Sequence, residues 1–104
     1  MSTSTKKPKN VEKAAEKASW TFLTNHAHVL LCLAQTPDAR IRDLAVDVGI
    51  TERAVQNILA DLQAEGIITA VREGRRNRYT IHGRKPLRHP VEAHRKVRDL
   101  INLV

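Results

Sequence analysis

The sequence has few of the residues on which several protein classes depend. Among 104 residues there is one cysteine, one tryptophan, one tyrosine and one phenylalanine. A single cysteine excludes an internal disulfide and fits a reducing compartment. No apolar run approaches the ~18 residues that a membrane-spanning helix needs. Residues 1–19 are polar and lysine-rich, without the apolar stretch of a secretory signal. We therefore expect a small cytoplasmic protein with a mainly aliphatic core and no membrane segment.

The sequence also lacks the patterns that support catalysis or metal binding. It has no glycine-rich phosphate loop and no nucleophile placed beside a base. His26 and His28 are two residues apart, a spacing that points them to different faces of a helix rather than at one ion. His82, His89 and His94 are scattered among arginines, which repel a cation. We predict no catalytic residue, no metal site and no cofactor.

Positive charge is abundant and unevenly distributed. The formal net charge is +7. Five lysines against two glutamates give residues 1–19 a charge of +3, and three arginines against six acids give residues 36–65 a charge of −3. Ten basic residues against two glutamates give residues 72–98 a charge of +8, and Asp99 supplies −1. Such runs can be solubilising surface, but they also attract phosphate, so nucleic acid is the expected partner.

Residues 40–82 show the pattern of a helix, a tight turn, a second helix and a basic hairpin. Gly49 is suited to end the first helix, because glycine adopts the left-handed conformation at no steric cost, and Thr51 is a good N-cap for the second. Helical spacing turns one apolar face of each helix inward. These positions are Ile41, Leu44, Ala45 and Val48, then Val55, Ile58, Leu59 and Leu62. Two such helices present the outer face of the second to a DNA major groove.

Three further elements surround this pair. Thr24 is the expected N-cap of a helix that runs to Gln35. Residues 67–72 and 78–82 are strand candidates, joined by a five-residue turn that contains Gly74. Their positions on one shared face are Ile68, Ala70, Tyr79 and Ile81. A last helix is predicted over residues 91–104.

The central region resembles the winged helix-turn-helix repressors of the MarR and ArsR type, over about residues 22–82. The residues that carry the resemblance are Asp43-Leu44-Ala45, Val48-Gly49-Ile50-Thr51, Ala54-Val55-Gln56-Asn57-Ile58-Leu59, Leu62, Glu65-Gly66-Ile67-Ile68 and Gly74-Arg75-Arg76-Asn77-Arg78-Tyr79. The chain departs from the metal-sensing members, since their cysteine clusters are absent. The resemblance implies a mainly α fold with a small β-hairpin, in which a three-helix core and a wing are followed by an additional C-terminal helix. It also implies DNA binding and a dimer.

We divide the chain accordingly into three segments. Residues 1–18 form a basic N-terminal arm or helix, residues 19–84 the winged helix-turn-helix DNA-binding domain, and residues 85–104 a C-terminal linker and dimerisation helix. The N-terminal arm is expected to contribute to the dimer. The main expected dimer contacts are apolar positions of the last helix. They are Val91, Val97, Leu100, Ile101 and Val104. The alternative is that this helix folds back within its own chain onto Trp20 and Phe22.

The predicted DNA contacts fall into two groups. In the recognition helix, residues 51–65, the amides of Gln56 and Asn57 can pair with adenine, and Arg53 can reach guanine. The methyl groups of Thr51 and Ala54 can touch thymine. In the basic wing, residues 72–78, guanidinium groups suit phosphates and the electronegative minor groove. The wing residues are Arg72, Arg75, Arg76, Asn77 and Arg78.

The function expected from the sequence is that of a sequence-specific transcriptional regulator. It would bind double-stranded DNA as a homodimer in the cytoplasm, associated with the nucleoid. One alternative is an architectural protein that binds DNA with little sequence preference. Another is a winged helix used for protein–protein contact. The sequence does not identify a small-molecule effector.

Overall fold

The computed structural model describes residues 19–104, and the predicted N-terminal arm or helix lies outside them. Three helices come first: α1 (Asn25–Gln35), α2 (Ile41–Val48) and α3 (Glu52–Ala64). An antiparallel hairpin of β1 (Ile68–Glu73) and β2 (Arg76–Ile81) follows, and the short helix α4 (Val97–Ile101) comes last. This order confirms the predicted fold class, a winged helix-turn-helix with an additional C-terminal helix.

The start of α1 and the turn between α2 and α3 are set by local hydrogen bonds. Thr24 caps α1, where its side-chain oxygen accepts the Ala27 N–H at 3.3 Å. Gly49 has φ 83° and donates its N–H to the Ala45 carbonyl at 2.8 Å, which ends α2. Thr51 then caps α3 by accepting the Ala54 N–H at 3.0 Å. All three roles were predicted from the sequence, and the structure confirms them.

The core lies between α1, α2, α3 and the base of the hairpin, with one contribution from α4. Its apolar residues come from every element except the outer half of the hairpin. They are Val29, Leu30, Leu33, Leu44, Ala45, Val55, Ile58, Leu59, Leu62, Ile67, Ile68, Tyr79 and Val97. The four predicted inward positions of α3 are all buried.

The hairpin has the predicted inner face but a shorter turn. Ile68 pairs with Ile81, and Ala70 pairs with Tyr79, so the four predicted positions share one side. Pairing continues to Glu73 and Arg76, which leaves a two-residue turn of Gly74 and Arg75 in place of the predicted five. Gly74 has φ 62°, a conformation that suits a tight hairpin turn. The sequence pattern did not predict this extra pairing, because the side chains near the tip are charged, whereas strand pairing is made by the backbone.

The C-terminal helix is shorter than predicted. Residues 91–96 are not part of it, because residues 91–94 form turns and residues 95–97 bond to residues 85–87. Pro86 and Lys96 form an antiparallel bridge, flanked by hydrogen bonds from Leu87 N–H to Arg95 O at 2.9 Å and from Val97 N–H to Lys85 O at 2.8 Å. The Asp99 carboxylate also accepts the Lys96 N–H at 2.8 Å. That contact caps α4 and starts it at Val97.

The predicted dimer contacts Val91, Val97, Leu100, Ile101 and Val104 do not form one exposed apolar stripe. Val97 is 1% exposed and belongs to the core of its own chain. Leu100 and Ile101 are half-buried against that core, whereas Val91 and Val104 are 75% and 71% exposed. The helix therefore folds back within the chain and packs against α1. Among residues 19–104, no helix is long and apolar enough to cross a membrane.

Candidate nucleic-acid interface

The outer face of α3 carries the predicted base-reading side chains. Arg53, Gln56 and Asn57 are exposed, opposite the buried residues of the same helix. At roughly 100° per residue, Arg53 and Asn57 lie within about 40° of each other around the helix axis, and Gln56 lies at their side. Three polar side chains with donors and acceptors thus occupy the N-terminal half of one helix face.

Thr51 and Ala54 complete the start of this face. The Thr51 hydroxyl oxygen is engaged as the helix cap, and the residue as a whole is exposed. Ala54 is half-buried, so only part of its side chain reaches the surface. Because the cap uses the hydroxyl group, the methyl group of Thr51 is the part that can contact a thymine methyl group.

The wing presents its charged residues along an exposed double strand. Side chains alternate across a strand, so Arg72 and Asn77 lie on the same side as buried Tyr79, beyond the end of the core. Arg76 and Arg78 lie on the opposite side, and Arg75 occupies the turn. All five predicted wing residues are exposed.

Two contacts attach the wing to the turn between α1 and α2. Tyr79 donates its N–H to the Pro37 carbonyl at 2.9 Å. Arg76 Nη1 lies 3.4 Å from Asp38 Oδ2, and both side chains are partly exposed. Sequence reasoning missed this ion pair, because the partners are 38 positions apart and no local spacing relates them.

Two acidic side chains at the C-terminal end of α3 are paired away from the predicted base-reading face, whereas Glu52 is exposed at its start. His26 Nε2 lies 2.8 Å from Asp61 Oδ2, and Arg88 Nη2 lies 3.5 Å from Glu65 Oε2. Both acids are in the C-terminal part of the helix or directly after it. Part of the acidic side chains that the sequence assigns to this segment is therefore engaged at the C-terminal end of α3, and the N-terminal half exposes Arg53 beside Glu52.

The basic segment of residues 72–98 is divided between two surfaces. Four of its arginines lie on the hairpin, while the other six basic residues follow the end of β2. The pair Ile68 and Ile81 at the base is five steps from the pair Glu73 and Arg76 at the tip. At 3.3–3.4 Å per step, tip and base are roughly 17 Å apart. In the sequence alone, these ten basic residues form a single region of residues 72–98.

Metal-binding clusters are not found in the part of the chain that the structure describes. No group of three or more His, Cys, Asp or Glu side chains there is arranged to hold a metal ion. His26 contacts Asp61, and His82 Nε2 lies 2.6 Å from Thr69 Oγ1, so both make contacts within the fold.

Residues 24–69 match the sequence model of a family described as winged helix-turn-helix DNA-binding. This region is similar to that family and has the winged helix-turn-helix fold. The match ends within β1, so it covers the three-helix core and not the rest of the wing. The curated protein sequences contain no match to the chain.

Solved structures of bacterial regulators have a similar fold. MepR, a transcription regulator of the Staphylococcus aureus multidrug efflux pump MepA, is 21% identical with a TM-score of 0.49. ZitR, a zinc-responsive MarR family member of Lactococcus lactis, is 18% identical with a TM-score of 0.49. Wild-type ZitR in complex with DNA is 17% identical with a TM-score of 0.51.

These alignments cover 71% of this chain and 56%, 60% and 59% of the respective structures. The chain therefore spans less than two thirds of the proteins that it resembles. The predicted resemblance to winged helix-turn-helix regulators of the MarR type is confirmed at the level of the fold.

Proposed function

We propose that this protein is a transcriptional regulator that binds specific double-stranded DNA sequences as a homodimer. The observation that carries the proposal is the presence of two exposed surfaces in one fold, a polar face on the N-terminal half of α3 and an arginine-bearing hairpin. A helix supplies base contacts in the major groove, and a narrow basic hairpin supplies backbone or minor-groove contacts.

The recognition helix provides the base contacts in this proposal. Gln56 and Asn57 pair with adenine edges, Arg53 pairs with guanine, and the methyl groups of Thr51 and Ala54 contact thymine. The support is that these residues are exposed or half-buried at one end of α3, while the opposite side of the helix is buried.

The wing provides the phosphate or minor-groove contacts. Arg75 and Arg78 make no ion pair within residues 19–104, so their guanidinium groups meet DNA without giving up a partner. Arg72 Nε already donates to the Gly74 carbonyl at 2.9 Å, and Arg76 is beside Asp38. Asn77 pairs with Arg72 across the hairpin and lies between Arg76 and Arg78 along β2.

The homodimer follows from the symmetry of such recognition. A single recognition helix reads only a few base pairs, and a two-fold pair reads two half-sites about 10 base pairs apart. That arrangement adds the contacts of a second helix and wing, and so raises affinity and specificity above those of one domain.

Selection of bound duplexes from a random pool tests the proposal, followed by titration of two variants. Gln56→Ala should relax preference at particular base pairs by about 1–3 kcal/mol each. Arg75→Ala should weaken many sequences more evenly, because a phosphate contact carries no sequence information. Gln63→Ala is the matched control, since Gln63 is exposed on the same helix but nearly two turns nearer its C-terminal end.

Three outcomes would contradict parts of this proposal. If Gln56→Ala lowers affinity without changing the rank order of sites, Gln56 does not read bases. Uniform coating of duplexes without a selected sequence would indicate an architectural protein. Absence of salt-sensitive duplex binding would indicate that the winged helix contacts proteins instead.

A further inference from the structure

Six basic residues that follow the hairpin are brought together by backbone pairing. Three come from residues 84–88 and three from residues 95–98, and the antiparallel bridge between Pro86 and Lys96 sets the two stretches side by side. Paired strands lie about 4.8 Å apart. We call the patch formed by these six residues the C-terminal basic surface. It comprises Arg84, Lys85, Arg88, Arg95, Lys96 and Arg98.

The charge of the C-terminal basic surface is largely unbalanced within residues 19–104. Of its six members, Arg88 alone forms an ion pair there, with Glu65 at 3.5 Å. Glu92 and Asp99 are the acids of residues 83–99, which keep a net charge of +4. Like charges on neighbouring strands repel each other. The arrangement therefore lowers stability in the absence of an anion and favours a partner that supplies negative charge.

The chemistry of this surface fits phosphate better than a protein partner. Five of the six side chains are exposed, and Lys96 is half-buried. Val91 is the one large aliphatic side chain that is exposed within residues 83–98. Protein interfaces have apolar or aromatic centres from which charged residues are depleted. Arginine, which supplies four of the six residues, binds phosphate through two parallel hydrogen bonds.

The C-terminal basic surface lies at the opposite end of α3 from the predicted base-reading side chains. Arg88 contacts Glu65, the residue directly after the helix, and Lys85 Nζ lies 3.4 Å from the position of a Cβ built on Gly66. Glu65 follows Arg53 by roughly 18 Å along the axis, at 1.5 Å per residue. Phosphates bound by this surface are therefore different from those beside Arg53.

We infer that the C-terminal basic surface binds the phosphate backbone of a second stretch of duplex DNA, in addition to the stretch that α3 contacts. The inference deepens the proposed function and rests on it. Duplex held at α3 keeps further duplex nearby, and the resulting effective concentration allows a surface of modest affinity to stay occupied. The second stretch comes from the flank of the same duplex or from a separate duplex, with the same phosphate chemistry.

Capture of a labelled duplex by protein that is already bound to DNA tests the inference. The full chain is loaded onto an immobilised short duplex that carries only the selected sequence, and unbound protein is washed away. A fluorescent duplex of unrelated sequence is then added, and its capture is divided by the amount of protein loaded. The parent should capture this duplex, and capture should weaken steeply as salt is raised.

Arg84→Gln/Arg95→Gln should load nearly as well as the parent but capture about tenfold less of the fluorescent duplex. The log–log salt slope of capture should also fall in magnitude by about 1.8 for each copy in contact, because each arginine accounts for about 0.9. Arg84→Lys/Arg95→Lys keeps the charge and should keep most of the capture. Both side chains are exposed, so all these variants should retain the circular dichroism spectrum of the parent.

Arg40→Gln/Arg42→Gln is the matched control. Both residues are exposed at the start of α2, so the pair removes the same charge from another surface and should leave capture unchanged. Poly-glutamate provides a second comparison. It should displace the fluorescent duplex less well than unlabelled duplex of equal total charge, because duplex DNA carries its charge more densely, at about one per 1.7 Å.

A longer duplex, in which unrelated flanks surround the selected sequence, distinguishes the two sources of the second stretch. If the flank of the same duplex is bound, the parent should prefer the longer duplex to the short one, and Arg84→Gln/Arg95→Gln should lose that preference. Capture of the fluorescent duplex instead identifies a separate duplex as the second stretch. Either result supports the inference.

Four results would contradict the inference. Equal capture and equal duplex preference in the parent and Arg84→Gln/Arg95→Gln would mean that the surface is only solvated. An equal loss in Arg40→Gln/Arg42→Gln would mean that total charge matters and position does not. Equal displacement by poly-glutamate would overturn the assignment to DNA. Failure of the parent to load onto any selected duplex would refute the proposed function and this inference together, and it is seen before the fluorescent duplex is added.

Discussion

Thr51 links local folding to the proposed DNA contact at the scale of a single residue. Its oxygen holds the first turn of α3 by accepting the Ala54 N–H at 3.0 Å, and the same residue begins the predicted base-reading face. The polar side chains that follow therefore depend on this cap for their direction. Gly49 plays the complementary role at the end of α2, where φ 83° lets the chain leave one helix and enter the next.

Thr51→Ala should lower the free energy of unfolding by about 1 kcal/mol, because the Ala54 N–H loses its partner at the helix start. Thr51→Ser keeps the oxygen and should stay within about 0.5 kcal/mol of the parent. Urea denaturation without DNA measures both. Equal stability of the alanine variant and the parent would show that water replaces the cap.

At the scale of secondary-structure elements, α4 is part of the core although it is only five residues long. Val97→Ala should lower the free energy of unfolding by about 2 kcal/mol, through lost apolar burial and the cavity left behind. Val104→Ala makes the same chemical change at an exposed position three residues after the helix and should cost less than about 0.5 kcal/mol. Thermal or urea unfolding compares them. Similar effects of the two substitutions would mean that α4 does not pack on the core in solution.

The wing depends on the turn between α1 and α2, through Pro37 and Asp38. Asp38→Ala should increase DNA affinity and steepen its salt dependence, because Arg76 loses a competing carboxylate 3.4 Å away. Asp47→Ala removes the same charge from exposed α2 and controls for general electrostatics. Titration at several salt concentrations gives the comparison. A fall in affinity with Asp38→Ala would show that the ion pair serves to hold the wing in place.

For the whole molecule, the location of charge matters more than its sum of +7. The hairpin bears four arginines, and the other basic residues of that segment lie beyond the hairpin base, roughly 17 Å from the tip. Under the proposed function, the hairpin charges make the larger part of the phosphate contacts, because the wing is the element expected to reach the DNA backbone. The two groups should therefore respond differently to the same loss of charge.

Duplex binding should weaken steeply with salt. If four wing arginines in each of two protomers neutralise one phosphate each, eight contacts give a log–log slope of roughly −7. Arg75→Ala should reduce the magnitude of that slope by about 0.9 for each copy, whereas Arg95→Ala, an equal loss of charge beyond the wing, should change it less. Affinity that stays constant between low and moderate salt would contradict the phosphate contacts altogether.

Features that depend on neighbouring residues could be predicted from the sequence. The caps at Thr24 and Thr51, the glycine exit at Gly49 and the inner face of α3 all follow from relations within about four positions, the range of helical hydrogen bonds and side-chain spacing. The shared face of Ile68 and Tyr79 follows equally from the two-residue period of a strand. These relations determined the fold class and placed the candidate recognition helix.

Features that depend on distant parts of the chain were decided only by the tertiary structure. Residues 91–96 have a helical pattern, but residues 91–94 form turns and residues 95–97 bond to the backbone of residues 85–87, so α4 begins only at Val97. Burial of Val97 and the pairing of Asp38 with Arg76 likewise arise where separate elements meet. A groove lined by Phe22, Leu62 and Val97 exists only because α1, α3 and the C-terminal segment converge there. Helical and strand periodicity shows which side of an element is apolar, whereas the packing of the other elements determines whether that side is covered.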